Sequence, residues 1–466
     1  MIPPSCRTLT PGQHVHCIGI GGIGMSAIAQ MLAKSGFRVS GSDANASATV
    51  EQLRAQGITV EIGHAGRQAT NADLVVYSTA ISPGNAELCV ARARGIPTVQ
   101  RAHLLALFVN GRRVVAVTGA HGKTTTTAMT ALVLTDGGRD PLCLIGAEVE
   151  PLGGNARWGE GPCAVVEADE SDGSFVFLRP TYAVITNIDR EHLDFYRNLS
   201  EIEEGVRRFV QAVPQDGAIF VCAEDQRLLN LTRDLGVRRL TFGLDGQADL
   251  HPDAIARAGL GTAFDCSYLG RRVGRAQLQV PGLHNVSNAM AAIGVALQEG
   301  VPWDSIAASL ARYPGAHRRF QRIQLADDIT LVDDYAHHPT EVNATLAALP
   351  RGMGRRTIAV FQPHRYSRTK YLAAAFGGCF AAADQVIITD VYAASETPLE
   401  GVSGQQVYDA VVHSGHPHAE YVERARLVDH VLGMMQPGDV IFFLGAGDIS
   451  ELCRTVAQRS ARPHLV

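Results

Sequence analysis

The segment that most constrains this chain is a short apolar strand that runs directly into a turn of small residues. Residues 113–118 read Arg-Val-Val-Ala-Val-Thr, and Gly119-Ala-His-Gly-Lys-Thr124 follows at once. An apolar, β-branched run of this length predicts a buried strand, and the glycines predict a tight turn. Folds with such a strand and turn have mostly parallel α/β sheets, in which the turns after the strands carry the chemistry.

Residues 118–126 have the composition of a turn that binds phosphate. Small residues let backbone N–H groups curl around an anion, and the helix that follows directs its positive end at that anion. Lys123 offers a charge to the outer phosphates of a nucleotide, and Thr124 offers a hydroxyl to Mg²⁺. The standard nucleotide-loop pattern is incomplete, because Val117 stands where its first glycine would be. An ordinary strand–turn–helix is the alternative, although four consecutive threonines begin a helix poorly.

The same strand-and-turn pattern recurs on both sides of this segment. In the N-terminal part, strands are predicted at residues 14–20, 38–42 and 74–77, with a helix at 26–35. The middle part adds strands at 163–167, 182–187 and 217–222 and a helix at 288–299. The C-terminal part has predicted strands at 329–332, 357–361, 385–389 and 440–444, with helices at 341–349 and 371–383. We therefore predict an α/β protein of three domains, residues 1–108, 109–318 and 319–466.

Composition excludes several classes of protein. Hydrophobic residues make up 46% of the chain, charged residues 19%, and the formal net charge is −5. These values predict a globular protein without a nucleic-acid or lipid surface. The nine cysteines include no CxxC pair, which favours free thiols in a reducing compartment. Residues 17–33 lack charge, but they are glycine-rich and shorter than the roughly 20 residues of a membrane span. A cytoplasmic protein is expected.

Acidic residues and a histidine follow two of the predicted central strands. Glu167 ends one strand and precedes Asp169, Glu170 and Asp172, whereas His192 lies just beyond the next. A nucleotide at the turn requires a divalent cation, and such acids are its usual ligands. We predict Thr124, Glu167 and His192 as the magnesium site. A solvated acidic loop and a structural histidine are the alternatives.

Two further turns have the composition of ligand sites. His284 and Asn285 precede the predicted helix at 288–299, where an amide suits an adenine edge and an imidazole can stack on the ring; a plain helix cap is the alternative. In the N-terminal part, Gly19-x-Gly-Gly-x-Gly24 is followed by Asp43. That spacing ordinarily indicates NAD, but the shared physics is a diphosphate on a helix N-terminus, which UDP satisfies equally.

Taken together, the motifs resemble those of the Mur ligases, in the same order along the chain. The matching segments are Gly19-Ile-Gly-Gly-Ile-Gly-Met-Ser26, Gly119-Ala-His-Gly-Lys-Thr-Thr125, Glu167-Ala-Asp-Glu-Ser-Asp172, His284-Asn285, Arg318-Arg-Phe320, Asp333-Asp-Tyr-Ala-His-His-Pro339 and Phe361-Gln-Pro-His-Arg-Tyr366. The resemblance implies a Rossmann-like N-terminal domain for a UDP-sugar, a central P-loop-type ATPase domain and a Rossmann-like C-terminal domain.

The resemblance also implies a role for particular residues. ATP would contact Thr118, Gly119, Ala120, His121, Gly122, Lys123, Thr124, Thr125, His284, Asn285, Arg319, Asp334 and Tyr335. The UDP-sugar would contact Gly21, Gly22, Gly24, Met25, Ser26, Asp43, His64 and Ser78. The amino acid would lie near His337, His364, Arg365 and Arg368. The catalytic set would be Lys123, His192, Arg319, His337 and His364, with the choice of base between His337 and His364 left open.

The implied activity is ATP- and Mg²⁺-dependent ligation of L-alanine to the lactyl carboxylate of UDP-N-acetylmuramate, through an acyl phosphate, by a monomer or homodimer. The chain differs from the family at Ala120, where Thr is usual. It also lacks any lysine at residues 196–213, where sister ligases carry a carbamylated one. The alternatives are a peptide-adding ligase of cell-wall recycling, an NAD-dependent dehydrogenase and a nucleotide-dependent switch.

Overall fold

The structure is a computed structural model that describes residues 9–190, 195–349, 356–394 and 396–460. Its strands form three sheets of five, ten and six strands. The chain divides into two compact units. The first unit comprises Met1–Ile255, Phe264–Ala276 and Val286–Tyr313, and the second comprises Ala256–Ala263, Gln277–Asn285 and Pro314–Val466. The predicted α/β class is confirmed, whereas the boundaries at residues 108 and 318 stay predictions.

The five-stranded sheet belongs to the first unit and is parallel throughout. Its order is β3-β2-β1-β4-β5. The elements are β1 His14–Ile18, α1 Ile23–Lys34, β2 Arg38–Asp43, α2 Ala48–Ala55, β3 Thr59–Ile62, β4 Leu74–Tyr77, α3 Ala86–Ala93, β5 Thr98–Gln100 and α4 Arg101–Val109. Because the strand order reverses between β1 and β4, the turns after these two strands flank the position where ligands bind in open parallel sheets.

The ten-stranded sheet has the order β15-β14-β13-β12-β11-β10-β6-β9-β7-β8. Its elements are β6 Arg113–Thr118, α5 Lys123–Asp136, β7 Leu142–Val149, β8 Gly154–Arg157, β9 Cys163–Glu167, β10 Tyr182–Ile185, α6 Leu199–Gln211, β11 Ala218–Cys222, α7 Gln226–Leu231, β12 Arg239–Phe242, β13 Leu250–Ala258, β14 Gly261–Tyr268, β15 Arg271–Leu278, α8 Leu283–Gln298 and α9 Trp303–Arg312. Strand β6 lies between β9 and β10 and is parallel to both. The residues that follow these three strands therefore meet at one edge.

The four successive threonines, Thr124–Thr127, lie at the start of helix α5. All four are buried. The hydroxyl of Thr127 donates to the carbonyl of Lys123 at 2.8 Å, and Thr130 repeats this bond to Thr126 at 2.7 Å. Hydrogen bonds to the carbonyl four residues back satisfy these two hydroxyls in the core, whereas the Thr126 hydroxyl has no hydrogen-bond partner among the described residues.

One hydrophobic core contains buried residues from both the five-stranded sheet and the ten-stranded sheet. Val15 and Leu104 share a buried cluster with Val114 and Ile185. The amide of Asn155, on β8, donates to the carbonyl of Ile23 at the start of α1 at 2.8 Å. The glycine turn before α1 is therefore held against the ten-stranded sheet, in which the turn at residues 119–122 follows β6.

The six-stranded sheet belongs to the second unit and has the order β16-β17-β21-β18-β19-β20. Its elements are β16 Gln321–Gln324, β17 Thr330–Asp334, α10 Pro339–Ala348, β18 Thr357–Phe361, α11 Tyr366–Leu372, β19 Gln385–Ile388, α12 Gly404–His413, β20 Ala419–Tyr421, α13 Arg424–Met434, β21 Val440–Leu444 and α14 Ile449–Ser460. Within the described part of this sheet, β16 pairs antiparallel with β17 and the other strands pair parallel. Separate apolar clusters cover its two faces, as parallel sheets require.

Two helix predictions differ from the structure by more than three residues. The helix predicted at 371–383 is wrong, because α11 ends at Leu372 and a short 3-10 turn over Ala373–Phe376 precedes Gly377 and Gly378. Two glycines in succession weaken a helix. Helix α8 begins at Leu283, five residues earlier than predicted, so that His284 and Asn285 lie in its first turn. Across the described residues, no helix combines the length and apolar character that crossing a bilayer requires.

Candidate active site

The turn after β6 depends on two glycines. Gly119 and Gly122 have φ values of 125° and 82°, which side chains other than glycine rarely adopt. A Cβ on Gly122 would lie 2.6 Å from the amide oxygen of Asn288. The turn can therefore approach α8 closely only because this position has no side chain.

Asn187 stabilises this turn, although it was not among the predicted site residues. Its amide oxygen accepts from the backbone N–H of His121 at 2.9 Å, and its amide nitrogen donates to the His121 carbonyl at 3.0 Å. The hydroxyl of Thr186 donates to the same carbonyl at 2.5 Å. Polar residues directly after β10, the neighbour of β6, were the available sequence signal.

Lys123 lies folded over the turn with its ammonium group bound on three sides. Nζ donates to the carbonyls of Gly119 at 2.6 Å and Ala120 at 3.3 Å, and to Oε1 of Glu170 at 2.8 Å. Burial opposes the charge, but Glu170, Asp169 and Glu167 outweigh it and raise the pKa of Lys123. The side chain is therefore charged and directed at the turn.

Glu167 and Thr124 bring hard oxygen ligands together beside Lys123. The Thr124 hydroxyl lies 3.1 Å from Oε1 of Glu167, and Oε2 accepts from the backbone N–H of Gly146 at 2.7 Å. Burial raises the pKa of Glu167, so a divalent cation would stabilise its ionised form. This donor set fits the predicted magnesium ion. The third predicted ligand, His192, lies outside the described residues.

The remaining acids of this stretch contact the five-stranded domain. Asp172 accepts from the hydroxyl of Thr79 at 3.0 Å, and Asp169 lies 3.7 Å from the guanidinium of Arg101. That guanidinium also fills the space beside Gly24, where a Cβ would overlap it. Arg101 was missed from the sequence, because nothing local links it to either partner.

The glycine turn after β1 contains five of the predicted UDP-sugar contacts. The backbone N–H of Gly21 donates to Oδ2 of Asp43 at 2.8 Å, which brings the ends of β1 and β2 together. Gly22 and Gly24 open α1, whereas Met25 and Ser26 are buried. The Ser26 hydroxyl donates to the Ile23 carbonyl at 2.9 Å and receives a bond from Asn155 at 3.3 Å. The backbone of this turn is therefore better placed than these two side chains to meet an anion.

His64 and Ser78 lie beyond the ends of β3 and β4. Nδ1 of His64 is 3.0 Å from the hydroxyl of Ser42, next to Asp43, and Ser78 is half-buried. The structure thus places Asp43, His64 and Ser78 at the carboxyl edge of one sheet. Their contact with a nucleotide stays a prediction.

In the second unit, His284 and Asn285 lie in the first turn of α8. Burial and then the charge of Arg319 lower the pKa of His284 to about 4, so the ring is neutral. The amide of Asn285 donates to the Pro281 carbonyl at 2.6 Å. A Cβ on Gly282 would lie 2.5 Å from the His284 ring, so the glycine gives that ring its space.

Arg319, Tyr335 and Asp334 form a second group in this unit. The Arg319 guanidinium lies 5.3 Å from the centre of the Tyr335 ring. The carboxylate of Asp334 accepts from the backbone N–H groups of Phe320 at 2.7 Å and Ala336 at 2.8 Å, and burial raises its pKa to about 6. Asp334 therefore organises the backbone after β17.

His337 and His364 face each other, with ring centroids 5.7 Å apart. Nδ1 of His337 donates to the Tyr335 carbonyl at 2.9 Å, and Glu341 Oε2 lies 3.4 Å from the same nitrogen. Glu341 was not among the predicted site residues, although an acid three residues into a helix after His338 is a known cap signal.

The two arginines predicted to bind the amino acid lie beside His364. Arg368 Nη1 is 2.9 Å from Nδ1 of His364, so that nitrogen accepts. Burial, followed by the charges of His337 and Arg368, lowers the pKa of His364 to about 2. Arg365 has a φ of 67°, a conformation that is uncommon without a constraint and here opens α11.

Comparison with known proteins agrees with this arrangement. Three family profiles match in succession: Mur ligase family, catalytic domain, at residues 14–113; Mur ligase middle domain, at 117–296; and Mur ligase, glutamate ligase domain, at 318–447. A UDP-N-acetylmuramate–L-alanine ligase of Pelotomaculum thermopropionicum is 47% identical over 439 residues, covering 94% of this chain and 95% of the relative.

Two solved structures are similar over most of their length. The UDP-N-acetylmuramate-alanine ligase of Thermotoga maritima has a TM-score of 0.82 and 30% identity, covering 96% of this chain and 99% of that one. A murein peptide ligase of Psychrobacter arcticus has a TM-score of 0.73 and 24% identity, covering 98% and 100%, and indicates the fold alone. With its three sheets, its Lys123 turn and these matches, the chain belongs to the Mur ligase family.

Proposed function

We propose that this chain uses ATP to join L-alanine to the lactyl carboxylate of UDP-N-acetylmuramate, through an acyl phosphate, as a step of peptidoglycan synthesis. The observation that carries the proposal is the near full-length likeness to a ligase of that name. The turn after β6, whose residues are typical of phosphate binding and which Lys123 covers, supports ATP as the energy source. The looser likeness to a murein peptide ligase does not favour a preformed peptide as the substrate.

In the first step, a carboxylate oxygen of the sugar nucleotide attacks the γ-phosphorus of ATP. The bond to the bridging oxygen breaks, and ADP leaves with that electron pair. Little covalent help is needed from the protein, since this chemistry depends mostly on positioning and charge neutralisation. Lys123 supplies positive charge at the turn, and Arg319 is proposed to supply more.

Thr124 and Glu167 would hold a magnesium ion, together with His192 as the resemblance implies. Such an ion neutralises the charge that develops on the phosphate oxygens. Asp169 and Glu170 have other partners in the chain, Arg101 for the first and Lys123 for the second. We therefore keep the metal assignment to the three predicted residues.

In the second step, the amine of alanine attacks the acyl carbon, and phosphate leaves. The amine must lose a proton, and the geometry favours His337 as its acceptor. Nδ1 of His337 carries hydrogen, because it donates to the Tyr335 carbonyl, so that Nε2 holds the lone pair. Glu341 stabilises the imidazolium that forms. His364 is a poor base, because Arg368 occupies its Nδ1 and its pKa is about 2.

The carboxylate of alanine requires a cationic partner, and Arg365 and Arg368 are proposed to supply it. Arg368 already contacts His364, so His364 orients this guanidinium rather than taking a proton. We further propose domains at residues 1–108, 109–318 and 319–466. The enzyme is proposed to work in the cytoplasm as a monomer or homodimer, without a nucleic-acid or membrane partner.

Phosphate release tests this function directly. Purified protein would be given UDP-N-acetylmuramate, ATP and Mg²⁺ with single amino acids, and with the tripeptide that a recycling ligase would use. Strong release with L-alanine and little with the other amines supports the proposal. Release that is greatest with the tripeptide, or that ignores the amine, contradicts it.

A further inference from the structure

A buried polar cluster in the five-stranded domain centres on Glu87. This carboxylate has no exposed surface. Its Oε2 accepts from the Ser42 hydroxyl at 2.6 Å and lies 3.5 Å from Nε2 of His16 and 3.6 Å from Nδ1 of His64. Ser42 also lies 3.0 Å from that His64 nitrogen. The cluster adjoins Asp43. Of its members, only His64 has a role in the proposed ligation.

Three observations support Glu87 as the acceptor of the Ser42 hydrogen bond. It lies in the first turn of α3, where the helix dipole favours negative charge. Asn85 caps this helix and accepts from the backbone N–H of Glu87 at 2.9 Å, which fixes the position of the acid. The 2.6 Å distance to Ser42 is typical of a hydroxyl that donates to a carboxylate.

The direction of this bond determines the direction of the next one along the cluster. Ser42 gives Glu87 its single hydroxyl proton in this bond. The Ser42 oxygen can then only accept from His64, so Nδ1 of His64 carries hydrogen. In a neutral imidazole the other nitrogen, Nε2, is then an acceptor. The ring is partly exposed, with 24% of its side chain accessible.

The position of this ring gives the tautomer a function. His64 follows β3, Asp43 ends β2 and Ser78 follows β4, at the carboxyl edge of a parallel sheet whose first turn is built for a diphosphate. We propose that Glu87 and Ser42 are positioning residues that lock His64 as its Nδ1–H tautomer, so that Nε2 accepts a hydrogen bond from the nucleotide. This proposal rests on the proposed function, which supplies the UDP-sugar.

The donor on the nucleotide is either N3–H of uracil or a ribose hydroxyl. Uracil carries hydrogen at N3, whereas cytosine has a lone pair there. If the partner is N3–H, His64 rejects cytidine nucleotides because two acceptors would face each other. Sites built to bond one polar group discriminate strongly against an analogue that leaves their own group unpaired.

Nitrogen NMR of the full chain with ¹⁵N-labelled histidine tests the tautomer without relying on activity. The His64 signals would be identified by their loss in His64→Asn. We expect a protonated Nδ1 and an unprotonated Nε2 in the wild-type protein. A His64 ring with hydrogen on Nε2 overturns the proposal, whatever the ligase assay gives.

Calorimetry with UDP then tests the consequence. Ser42→Ala removes the hydroxyl that links His64 to Glu87. We expect a roughly three- to tenfold loss of UDP affinity, together with a mixture of the two His64 tautomers. The matched control is Ser35→Ala in the same domain, because the Ser35 hydroxyl donates to the Met31 carbonyl at 2.7 Å and lies outside the Glu87 cluster. Equal losses in both variants, or unchanged affinity in Ser42→Ala, contradict the proposal.

Two analogues identify the donor. Diphosphates of 3-methyluridine and 2′-deoxyuridine each remove one candidate. The analogue that lacks the true donor should bind wild-type protein more weakly than UDP and lose little more in Ser42→Ala. If neither analogue shows this pattern, His64 accepts no bond from the nucleotide and the proposal fails. The proposed ligase function fails separately, by absence of alanine-dependent phosphate release.

Discussion

Nζ of Lys123 lies 2.8 Å from Oε1 of Glu170, whose other oxygen lies 3.3 Å from the Thr118 hydroxyl. Both partners are largely buried, with 13% and 5% of their side chains exposed. The charge expected to meet ATP is therefore already paired within the chain. A bound phosphate must share this ammonium group with Glu170.

Lys123→Met should abolish turnover, by roughly a thousandfold or more, because the loss removes a charge directed at the transferred phosphoryl group. It should also destabilise the protein, because the buried Glu170 loses the cation that neutralises it, a change that costs about 3–5 kcal/mol. Phosphate release and urea unfolding measure the two effects.

A double variant separates stability from catalysis in that experiment. Lys123→Met with Glu170→Gln removes both charges, so stability should return towards that of the parent while turnover stays lost. Turnover that returns with stability would mean that Lys123 serves the fold alone.

Gly146→Ala should displace the predicted metal ligand. A Cβ at residue 146 would lie 2.5 Å from both carboxylate oxygens of Glu167. We expect the Mg²⁺ concentration for half-maximal activity to rise at least severalfold. Gly111→Ala is the control, since a Cβ there meets nothing within 4 Å. An unchanged Mg²⁺ requirement would remove Glu167 from the metal site.

His337→Gln should slow amine attack while leaving acyl phosphate formation intact. Loss of a general base typically lowers kcat by about 10²–10⁴. Oxygen scrambling within ATP, with UDP-N-acetylmuramate present and alanine omitted, reports the first step and should persist. Loss of scrambling together with ligation would place His337 in the first step instead.

The acid stability of the protein should depend on His364. Its pKa is about 2 in the folded chain, against an ordinary value of 6.5, so the unfolded chain takes up this proton first as the pH falls. Its contribution to stability is complete above 6.5 and decreases below it, by up to about 1.4 kcal/mol per pH unit.

His364→Gln should therefore unfold at a urea concentration that varies less between pH 7 and pH 5. The urea midpoint of the wild-type protein should depend more strongly on pH. His284, with a pKa of about 4, adds a dependence of the same sign in both proteins. The control is His413→Gln, an exposed histidine on α12. Parallel urea midpoints for His364→Gln and the wild-type protein would contradict the assignment.

Features with a local sequence cause were predicted well. The strands at 74–77, 113–118, 163–167, 357–361 and 440–444 have the predicted bounds, because each is an apolar run between turn residues. The turn after β6 was found because glycine, lysine and threonine occur together there. Asp43, His64 and Ser78 lie at one sheet edge because they follow parallel strands.

Features that depend on contacts between residues distant in the sequence could not be predicted from local sequence patterns. Gly146 matters only because Glu167 folds against it, and Asn187 only because β10 lies beside β6. Strand β13 went unnoticed because most of its residues are exposed, so it lacks an apolar run. Gly377 and Gly378, by contrast, were a local signal that should have ended the helix predicted at 371–383.

The central claim is that the sugar-nucleotide carboxylate is phosphorylated by ATP before the amine attacks. UDP-N-acetylmuramate labelled with ¹⁸O in its lactyl carboxylate tests this claim most directly. With ATP, Mg²⁺ and L-alanine, mass spectrometry of the released phosphate should find one labelled oxygen per phosphate. Phosphate released without label would contradict the acyl phosphate route.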